Sequence, residues 1–332
     1  MLPLVVREWY TIAVAGMVVL ASILPVSGEP AAVFSAATNV AIALLFFLQG
    51  ARLSREVVIA GMVHWRLHLF VLATTFVLFP LLGLVILILP DLMNPTLSLG
   101  VAFLCVLPST IQSSIAFTSM AEGNVPAAIC SASASNVLGM VLSPLIAGLL
   151  FHTQGHSGFS WGALEGILLQ LLAPFALGQI LQPWLGKWLL RHRTLTQIVD
   201  RGSILMAIYA AFSEAVIAGL WSTMTARDLA ALVLVDTALL AIVLLFTFYA
   251  SGWLGFNRAD RITVMFCGSK KSLASGAPIA KVIFAGRDAG SIVLPLMIFH
   301  QIQLMVCAVL ARRFAESAHR NEAAKAERVP SA

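Results

Sequence analysis

The sequence predicts an all-α polytopic membrane protein, with ten transmembrane helices in two five-helix inverted repeats and broken crossing helices four and nine. Three observations lead to this prediction. The 332-residue chain is 60% hydrophobic and only 11% charged, which lies outside the range of soluble globular domains. Its apolar runs recur at lengths near the roughly 20 residues that span a bilayer. Two of these runs carry polar residues at mid-depth.

Ten apolar segments follow one another along the chain. They are continuous rather than alternating, which favours helices over the strands of a membrane barrel. The first half contains segments near residues 9–25, 32–49, 68–89, 97–120 and 126–151. The second half contains segments near residues 162–185, 201–221, 228–250, 262–284 and 290–311. The predicted repeats therefore occupy residues 1–155 and 156–312, and a polar cytoplasmic tail follows at 313–332.

The basic residues test this division independently, because cytoplasmic loops of membrane proteins carry an excess of Lys and Arg. With a cytoplasmic N-terminus, 15 of the 20 Lys and Arg residues fall in inside loops or in the tail. Three fall outside, namely Arg227, Lys281 and Arg287, and Lys270 and Lys271 fall within the ninth segment. This asymmetry predicts an even number of spans with both termini in the cytoplasm.

The two halves are predicted to have opposite orientations in the membrane, because each contains an odd number of spans. A short match supports the repeat: the fourth segment contains Q-S-S-I-A at residues 112–116, and the ninth contains K-K-S-L-A at residues 270–274. Inverted repeats of this kind are typical of secondary transporters.

The fourth segment is predicted to be interrupted at Pro108, which lacks a backbone donor and clashes with the preceding turn. Polar residues follow it at once: Ser109, Thr110, Gln112, Ser113 and Ser114. One interpretation is an unwound binding segment that faces protein or water. The other is a proline kink whose hydroxyl groups bond back to the helix.

The ninth segment repeats this pattern at the equivalent position of the second half. It contains Gly268 and then the polar residues Ser269, Lys270, Lys271 and Ser272. The neighbouring fifth and tenth segments add candidate polar contacts: Ser131, Ser135, Asn136, His300, Gln301 and Gln303. The two interruptions are expected to meet near the midplane, where helix ends and free carbonyl groups can bind ions.

These features resemble the bile acid:sodium symporter family, and most closely its bacterial branch of sodium-dependent transporters. The matching motifs are L-P-S-T-I-Q-S-S-I-A-F-T-S-M-A, the hairpin E-G-N-V at residues 122–125, S-P-L at residues 143–145 and F-C-G-S-K-K-S-L-A-S-G. The resemblance implies a core of spans three to five and eight to ten that moves against a panel of spans one, two, six and seven. It also implies an organic-anion substrate and Na+ as the coupling ion.

Carried over by position, four serine hydroxyl groups are the candidate Na+ ligands: Ser113, Ser114, Ser131 and Ser135. The sequence departs from the family in the ninth segment. Phe266 and Cys267 stand where the family has its sodium-binding acid, and lysines follow where Gln and Asn are expected. The anionic ligand that would neutralise Na+ is therefore missing from its usual place.

Three interpretations of Lys270 and Lys271 remain open. A lysine ammonium could replace bound Na+ and attract an anionic substrate; a lysine could exchange a proton during transport; or a lysine could pair with Asp236 or Glu214 and stabilise the bundle. An intramembrane lysine costs roughly 2.5–3.5 kcal/mol on insertion scales, so a functional role is the first expectation.

The sequence thus predicts a secondary active transporter of a small organic anion that works by alternating access. Coupling to Na+ is one alternative, and proton-coupled or uncoupled transport, with the lysines replacing Na+, is another. A membrane-embedded enzyme or a channel is less favoured, because no catalytic pair stands out. We expect no cofactor other than Na+ as coupling ion, contact with the lipid bilayer and no nucleic-acid partner. The residues do not indicate the substrate or the oligomeric state.

Overall fold

The computed structural model describes residues 2–52, 64–89, 93–153, 161–284 and 289–326. Within these ranges all regular structure is helical. The helices of the first half are α1 (Leu2–Ile23), α2 (Glu29–Arg52), α3 (Trp65–Ile88), α4 (Pro95–Val106), α5 (Gln112–Met120) and α6 (Val125–Thr153). Those of the second half are α7 (Trp161–Arg191), α8 (Arg193–Ile217), α9 (Leu220–Thr223), α10 (Ala226–Trp253), α11 (Arg258–Gly268), α12 (Leu273–Ile283) and α13 (Ala289–Ala326).

Five of these helices are, in whole or in large part, long and apolar enough to cross a bilayer without interruption. They comprise Glu29–Arg52, Trp65–Ile88, Val125–Leu150, Ala226–Trp253 and Ala289–Ala318. The chain is therefore an all-helical integral membrane protein, as its composition predicts. Many large apolar side chains on these helices are exposed, for example Val40, Leu234 and Met305, which suits a surface in contact with lipid.

The fourth and ninth predicted segments are both interrupted. Helix α4 ends at Val106 and α5 begins at Gln112, which leaves a non-helical first break at residues 107–111. Helix α11 ends at Gly268 and α12 begins at Leu273, which leaves a second break at residues 269–272. Each break follows from its residues, because Pro108 cannot donate to Leu104 and the side chain of Ser272 caps α12 by accepting from the amide of Ser275.

A further irregularity, which the sequence analysis did not predict, lies in α3. Residues Thr74–Leu78 form a π-helical turn, and the amide of Phe79 donates to the carbonyl of Thr74 instead of to that of Thr75. Pro80 follows, and proline has no amide hydrogen. The carbonyl of Thr75 therefore receives no helical hydrogen bond from either residue 79 or residue 80.

The helices pack in two groups. Helices α1, α2, α7 and α8 contact one another through the pairs α2–α7, α1–α8, α2–α8 and α7–α8, and we refer to them as the panel. Helices α3–α6 and α10–α13 form the core group, in which α4 lies against α3 and α13, and α11 lies against α10, α3, α5 and α6. The panel contacts the core group mainly through α8, which packs on α12 and α13, and through α7, which packs on α6.

Two glycines allow α2 and α7 to approach closely. A Cβ atom on Gly50 would lie 2.1 Å from the carbonyl oxygen of Phe175, and a Cβ atom on Gly178 would lie 2.1 Å from that of Phe47. The contact is reciprocal, since each helix carries a Phe-x-x-Gly sequence whose glycine meets the carbonyl of the other helix's phenylalanine. Backbone contact at this distance requires glycine in both helices.

The last helix extends into the predicted polar tail. Helix α13 continues without interruption through residue 312 to Ala326, and the ring of Phe314 packs against those of Phe248 and Phe266. Arg258 also donates to the carbonyl of Phe314, with a distance of 2.8 Å. Residues 313–326 are therefore an extension of the last helix, and residues 327–332 lie outside the described part of the chain.

Candidate functional site

The two breaks lie against each other in the core group. The hydroxyl of Ser109 donates to the carbonyl of Cys267 at 2.6 Å, and that of Ser114 donates to the carbonyl of Phe266 at 3.2 Å. The last carbonyl groups of a helix have no partner within it, so hydroxyl groups of the first break and of the first turn of α5 satisfy the end of α11. The amide of Ser272 donates in turn to the carbonyl of Pro108 at 2.9 Å.

Gln303 of α13 supports the second break from the other side. Its Oε1 accepts from the amide of Lys271 at 2.8 Å, and its Nε2 donates to the carbonyl of Lys271 at 2.9 Å. Nε2 also lies 2.8 Å from Nδ1 of His300, which therefore accepts a hydrogen bond in this network. One side-chain amide thus satisfies both backbone groups of an unwound residue, as a neighbouring strand would in a sheet.

Lys271 is fully buried, and its ammonium group is surrounded by main-chain oxygen atoms. Nζ donates to the carbonyls of Thr75, Cys105 and Leu107, at 3.0, 2.8 and 2.7 Å. It also lies 4.0 Å from the centroid of the Phe79 ring, a cation–π distance. The three hydrogens of an ammonium group match three acceptors, whereas a neutral amine has only two hydrogens to donate.

Each of these carbonyls is available because of a local departure from helix geometry. The π turn and Pro80 leave the Thr75 carbonyl without a helical donor. In a continuous helix the Cys105 carbonyl would accept from the amide of Ser109, but that amide donates to the hydroxyl of Ser135 at 3.0 Å. Leu107 lies within the first break, in an extended conformation. These features belong to the backbone and to other side chains, so they do not depend on Lys271.

Lys270 is also fully buried but has a different environment. Its Nζ donates to the carbonyl of Ser113 at 2.8 Å and lies 4.1 and 5.1 Å from the ring centroids of Phe117 and Phe266. In the described part of the chain this is the only oxygen that accepts from Lys270 Nζ. This ammonium therefore has fewer hydrogen bonds to oxygen than that of Lys271.

The predicted residues of the fifth segment reach the site by separate contacts. Ser131 lies 2.6 Å from Nδ1 of His68 on α3, and Ser135 accepts from the amide of Ser109. Oδ1 of Asn136 accepts from the hydroxyl of Ser275 at 2.7 Å, and Nδ2 of Asn136 donates to Oε1 of Gln49 on α2 at 3.4 Å. Helix α6 therefore links the breaks to α3 and, through Asn136, to the panel.

The four hydroxyls proposed as Na+ ligands each have a protein partner. Ser113 lies 2.5 Å from Oγ1 of Thr110, and Ser114 lies 3.3 Å from the same atom. Ser131 and Ser135 bond to His68 and to the first break. The acidic ligand that would accompany Na+ is missing from the last turn of α11, where the buried side chains Phe266 and Cys267 stand instead.

Three predicted residues do not join the network. Gln112 is exposed at the start of α5, and Gln301 is half-buried on α13; neither has a side-chain hydrogen bond within the described ranges. Ser269 bonds locally, from its hydroxyl to the carbonyl of Met265 at 2.6 Å.

The acidic partners expected for the two lysines are engaged differently. Asp236 is fully buried, but neither of its carboxylate oxygens has a hydrogen-bond partner among the residues described. Glu214 pairs with Lys281, which was predicted to lie outside the membrane but is buried on α12 with 5% of its side chain exposed. The interpretation that Lys270 or Lys271 pairs with Asp236 or Glu214 is therefore wrong for this conformation.

Sequence reasoning missed the acceptors of Lys271 because they are main-chain atoms. The identities of Thr75, Cys105 and Leu107 carry no such information. The signals that could have found them are the two prolines: Pro80, which follows the π turn, and Pro108, which lies next to Leu107 in the first break. His68 and Gln49 were also missed as polar neighbours of α6.

Known proteins resemble the chain over nearly its whole length. The sequence profile of the SBF-like CPA transporter family matches residues 8–316. The chain belongs to this family. An uncharacterized protein of Pseudomonas aeruginosa is 54% identical over 318 residues, which cover 96% of this chain and 95% of the relative. The protein YfeH of Escherichia coli strain K12 is 51% identical over 306 residues, which cover 92% of each chain.

A more distant relative is Sodium/bile acid cotransporter 7 of Rattus norvegicus, which is 27% identical over 311 residues, or 92% of this chain and 91% of the relative. The resemblance inferred from the motifs is thereby confirmed. As a member of the SBF-like CPA transporter family, the chain is a membrane transport protein and not an enzyme.

Proposed function

We propose that the chain is a secondary active transporter that moves a small organic anion across the bacterial inner membrane by alternating access. Its family and its likeness to a sodium/bile acid cotransporter support secondary transport. The observation that carries the choice of an anion is the pair of buried ammonium groups, Lys270 and Lys271, beside the two breaks. Neither lysine has a carboxylate partner in the described ranges, which favours an anionic ligand.

We infer that ten spans form two inverted repeats, with both termini in the cytoplasm. Helix contacts support this arrangement, because they recur when each element is exchanged for its counterpart in the other half. The contact α2–α7 corresponds to α8–α1, α3–α4 to α10–α11, α4–α13 to α11–α6, and α5–α6 to α12–α13. Alternating access would then consist of movement of the core group against the panel.

In this proposal the two lysines have different roles. Lys271 is held by three carbonyls and supplies a fixed positive charge. Lys270 donates to only one oxygen of the described residues and is the candidate contact for the anion. The ammonium charges replace that of Na+, which agrees with the absence of an acid at Phe266 and Cys267.

Uptake into proteoliposomes tests the proposal. The probes are radiolabelled cholate, succinate and benzoate, which represent steroid, dicarboxylic and aromatic anions. With an inward proton gradient imposed, we expect at least one to accumulate saturably and chemically unchanged, at the same rate with K+ as with Na+ outside. A channel would not concentrate the anion, and an enzyme would alter it. Uptake that requires Na+ would show that the lysines do not replace this ion.

Lys270→Ala should lower this uptake by roughly tenfold or more, because a hydrogen bond to a charged group contributes about 1.5–3 kcal/mol. Lys187→Ala is the matched control, since Lys187 is exposed on α7. If both variants and the unmodified protein take up the anion equally well, Lys270 does not bind the anion.

A further inference from the structure

We propose that the carbonyl oxygens of Thr75, Cys105 and Leu107 form a monovalent-cation site, which the protein fills with the ammonium group of its own Lys271. This inference deepens the proposed function. Only the role of the site in transport rests on that proposed function; the binding of a cation does not. The site differs from the serine hydroxyls that the family resemblance implies for Na+.

The coordination of Lys271 Nζ supports a cation site directly. Three carbonyl oxygens lie within 3.0 Å of Lys271 Nζ, and the centroid of the Phe79 ring lies 4.0 Å from the same nitrogen. Both kinds of contact, carbonyl dipoles and the face of an aromatic ring, are favourable to a positive charge. With three hydrogens donated to three oxygens, the ammonium is in the place that a free monovalent cation would take.

The three carbonyls are directed to this point by the backbone. The π turn and Pro80 leave the Thr75 carbonyl without a helical donor. The Cys105 carbonyl also lacks a helical donor, because the Ser109 amide donates to Ser135 instead. Gln303 independently holds the backbone of Lys271. Removal of the lysine side chain would therefore leave three buried acceptors that face one another, and buried acceptors without partners are costly.

All elements of the site belong to the core group, since Thr75 lies on α3, Cys105 on α4, Leu107 in the first break and Lys271 in the second break. A tethered ammonium would thus move with the core and keep its charge through the whole cycle. A bound cation would have to be released on each side. At this site the protein would need no external cation.

The test is a cation-dependent melting measurement on purified Lys271→Ala. Tm is measured in ammonium, sodium, potassium and choline chloride at constant ionic strength. We expect Lys271→Ala to melt below the unmodified protein in choline and to be stabilised by several degrees, saturably, by ammonium or a small metal cation. The unmodified protein should show no such rise, because its site is already filled.

Two variants control for other effects of the substitution. Lys271→Met also removes the charge but fills the space, so no cation should stabilise it. Lys270→Ala removes the neighbouring ammonium, whose single carbonyl ligand is too few to hold an ion. A cation-specific rise in either control, or none in Lys271→Ala, would overturn the proposal.

If Lys271→Ala does not survive purification in choline chloride, the recovery of monodisperse protein after extraction in ammonium chloride is compared with that after extraction in choline chloride. Recovery of monodisperse protein with ammonium alone supports the site, and equal loss in both salts contradicts it. Anion uptake by the unmodified protein is scored separately. Cation rescue without uptake would refute the transport proposal alone, and uptake without rescue would refute the cation site alone.

Discussion

At the scale of single residues, adjacent side chains of the same type have distinct environments. Lys271 donates three hydrogen bonds to main-chain oxygens, whereas Lys270 donates one and lies near two aromatic rings. Both lie in the second break, where successive side chains are not related by a helical rotation. The break therefore lets two buried ammonium groups lie beside each other in sequence and still reach different partners.

A prediction at this scale concerns Gln303, whose amide bonds to both backbone groups of Lys271. Gln303→Ala would leave a buried amide hydrogen and a buried carbonyl without partners, which costs about 1–3 kcal/mol for each group. We expect a marked fall in Tm, measured by intrinsic fluorescence in detergent. Gln301→Ala is the control, because Gln301 lies on the same helix, is half-buried and has no side-chain hydrogen bond among the described residues. Equal Tm values for the two variants would contradict this role.

At the scale of elements, interruptions and close approaches position the site. Around the two breaks, backbone groups without helical partners are satisfied through Ser109, Ser114 and Ser272. In the panel, Gly50 and Gly178 bring α2 against α7. Both arrangements use backbone atoms as contacts, which is effective in lipid because unpaired backbone groups there find no water.

Gly50→Ala tests the close approach of α2 and α7. A Cβ atom at residue 50 would overlap the Phe175 carbonyl at 2.1 Å, so the helices must separate and Tm should fall. Gly202→Ala is the matched control, since no atom lies within 4 Å of its added Cβ. Within a helix, that change should instead stabilise by roughly 0.5–1 kcal/mol. The same sign of change in both variants would argue against backbone contact at Gly50.

At the scale of the whole molecule, the ion pairs differ in what they join. Arg52 and Asp200, 2.7 Å apart, connect α2 with α8 inside the panel. Lys281 and Glu214 connect α12 of the core group with α8 of the panel. Movement of the core group against the panel would have to break the second pair but not the first.

Glu214→Gln should therefore change the rate of anion uptake as well as stability. The variant leaves the buried Lys281 ammonium without its carboxylate, so the contact between α8 and α12 is weakened. Asp200→Asn is the comparison: it should lower Tm without a comparable change in uptake per folded molecule. Parallel effects on uptake in both variants would indicate that the Lys281–Glu214 pair has only a structural role.

The sequence by itself determined the class of the protein. Apolar runs, the distribution of Lys and Arg, and the prolines and serines of the fourth and ninth segments predict a helical membrane transporter with two interruptions, because span length and helix breaking are local properties. The motifs also indicated the family. Most candidate residues, including Ser109, Ser114, Ser135, Asn136 and Gln303, do lie around the breaks.

Only the tertiary structure decided what those residues contact. The partners of Lys271 are carbonyls of Thr75, Cys105 and Leu107, and the partner of Glu214 is Lys281 instead of either lysine of the break. A main-chain oxygen has the same chemistry at every residue, so its availability depends on hydrogen bonds made elsewhere and its position on the packing of distant helices. For this reason the pattern of residues predicted where charge would be buried, and the fold alone decided how that charge is satisfied.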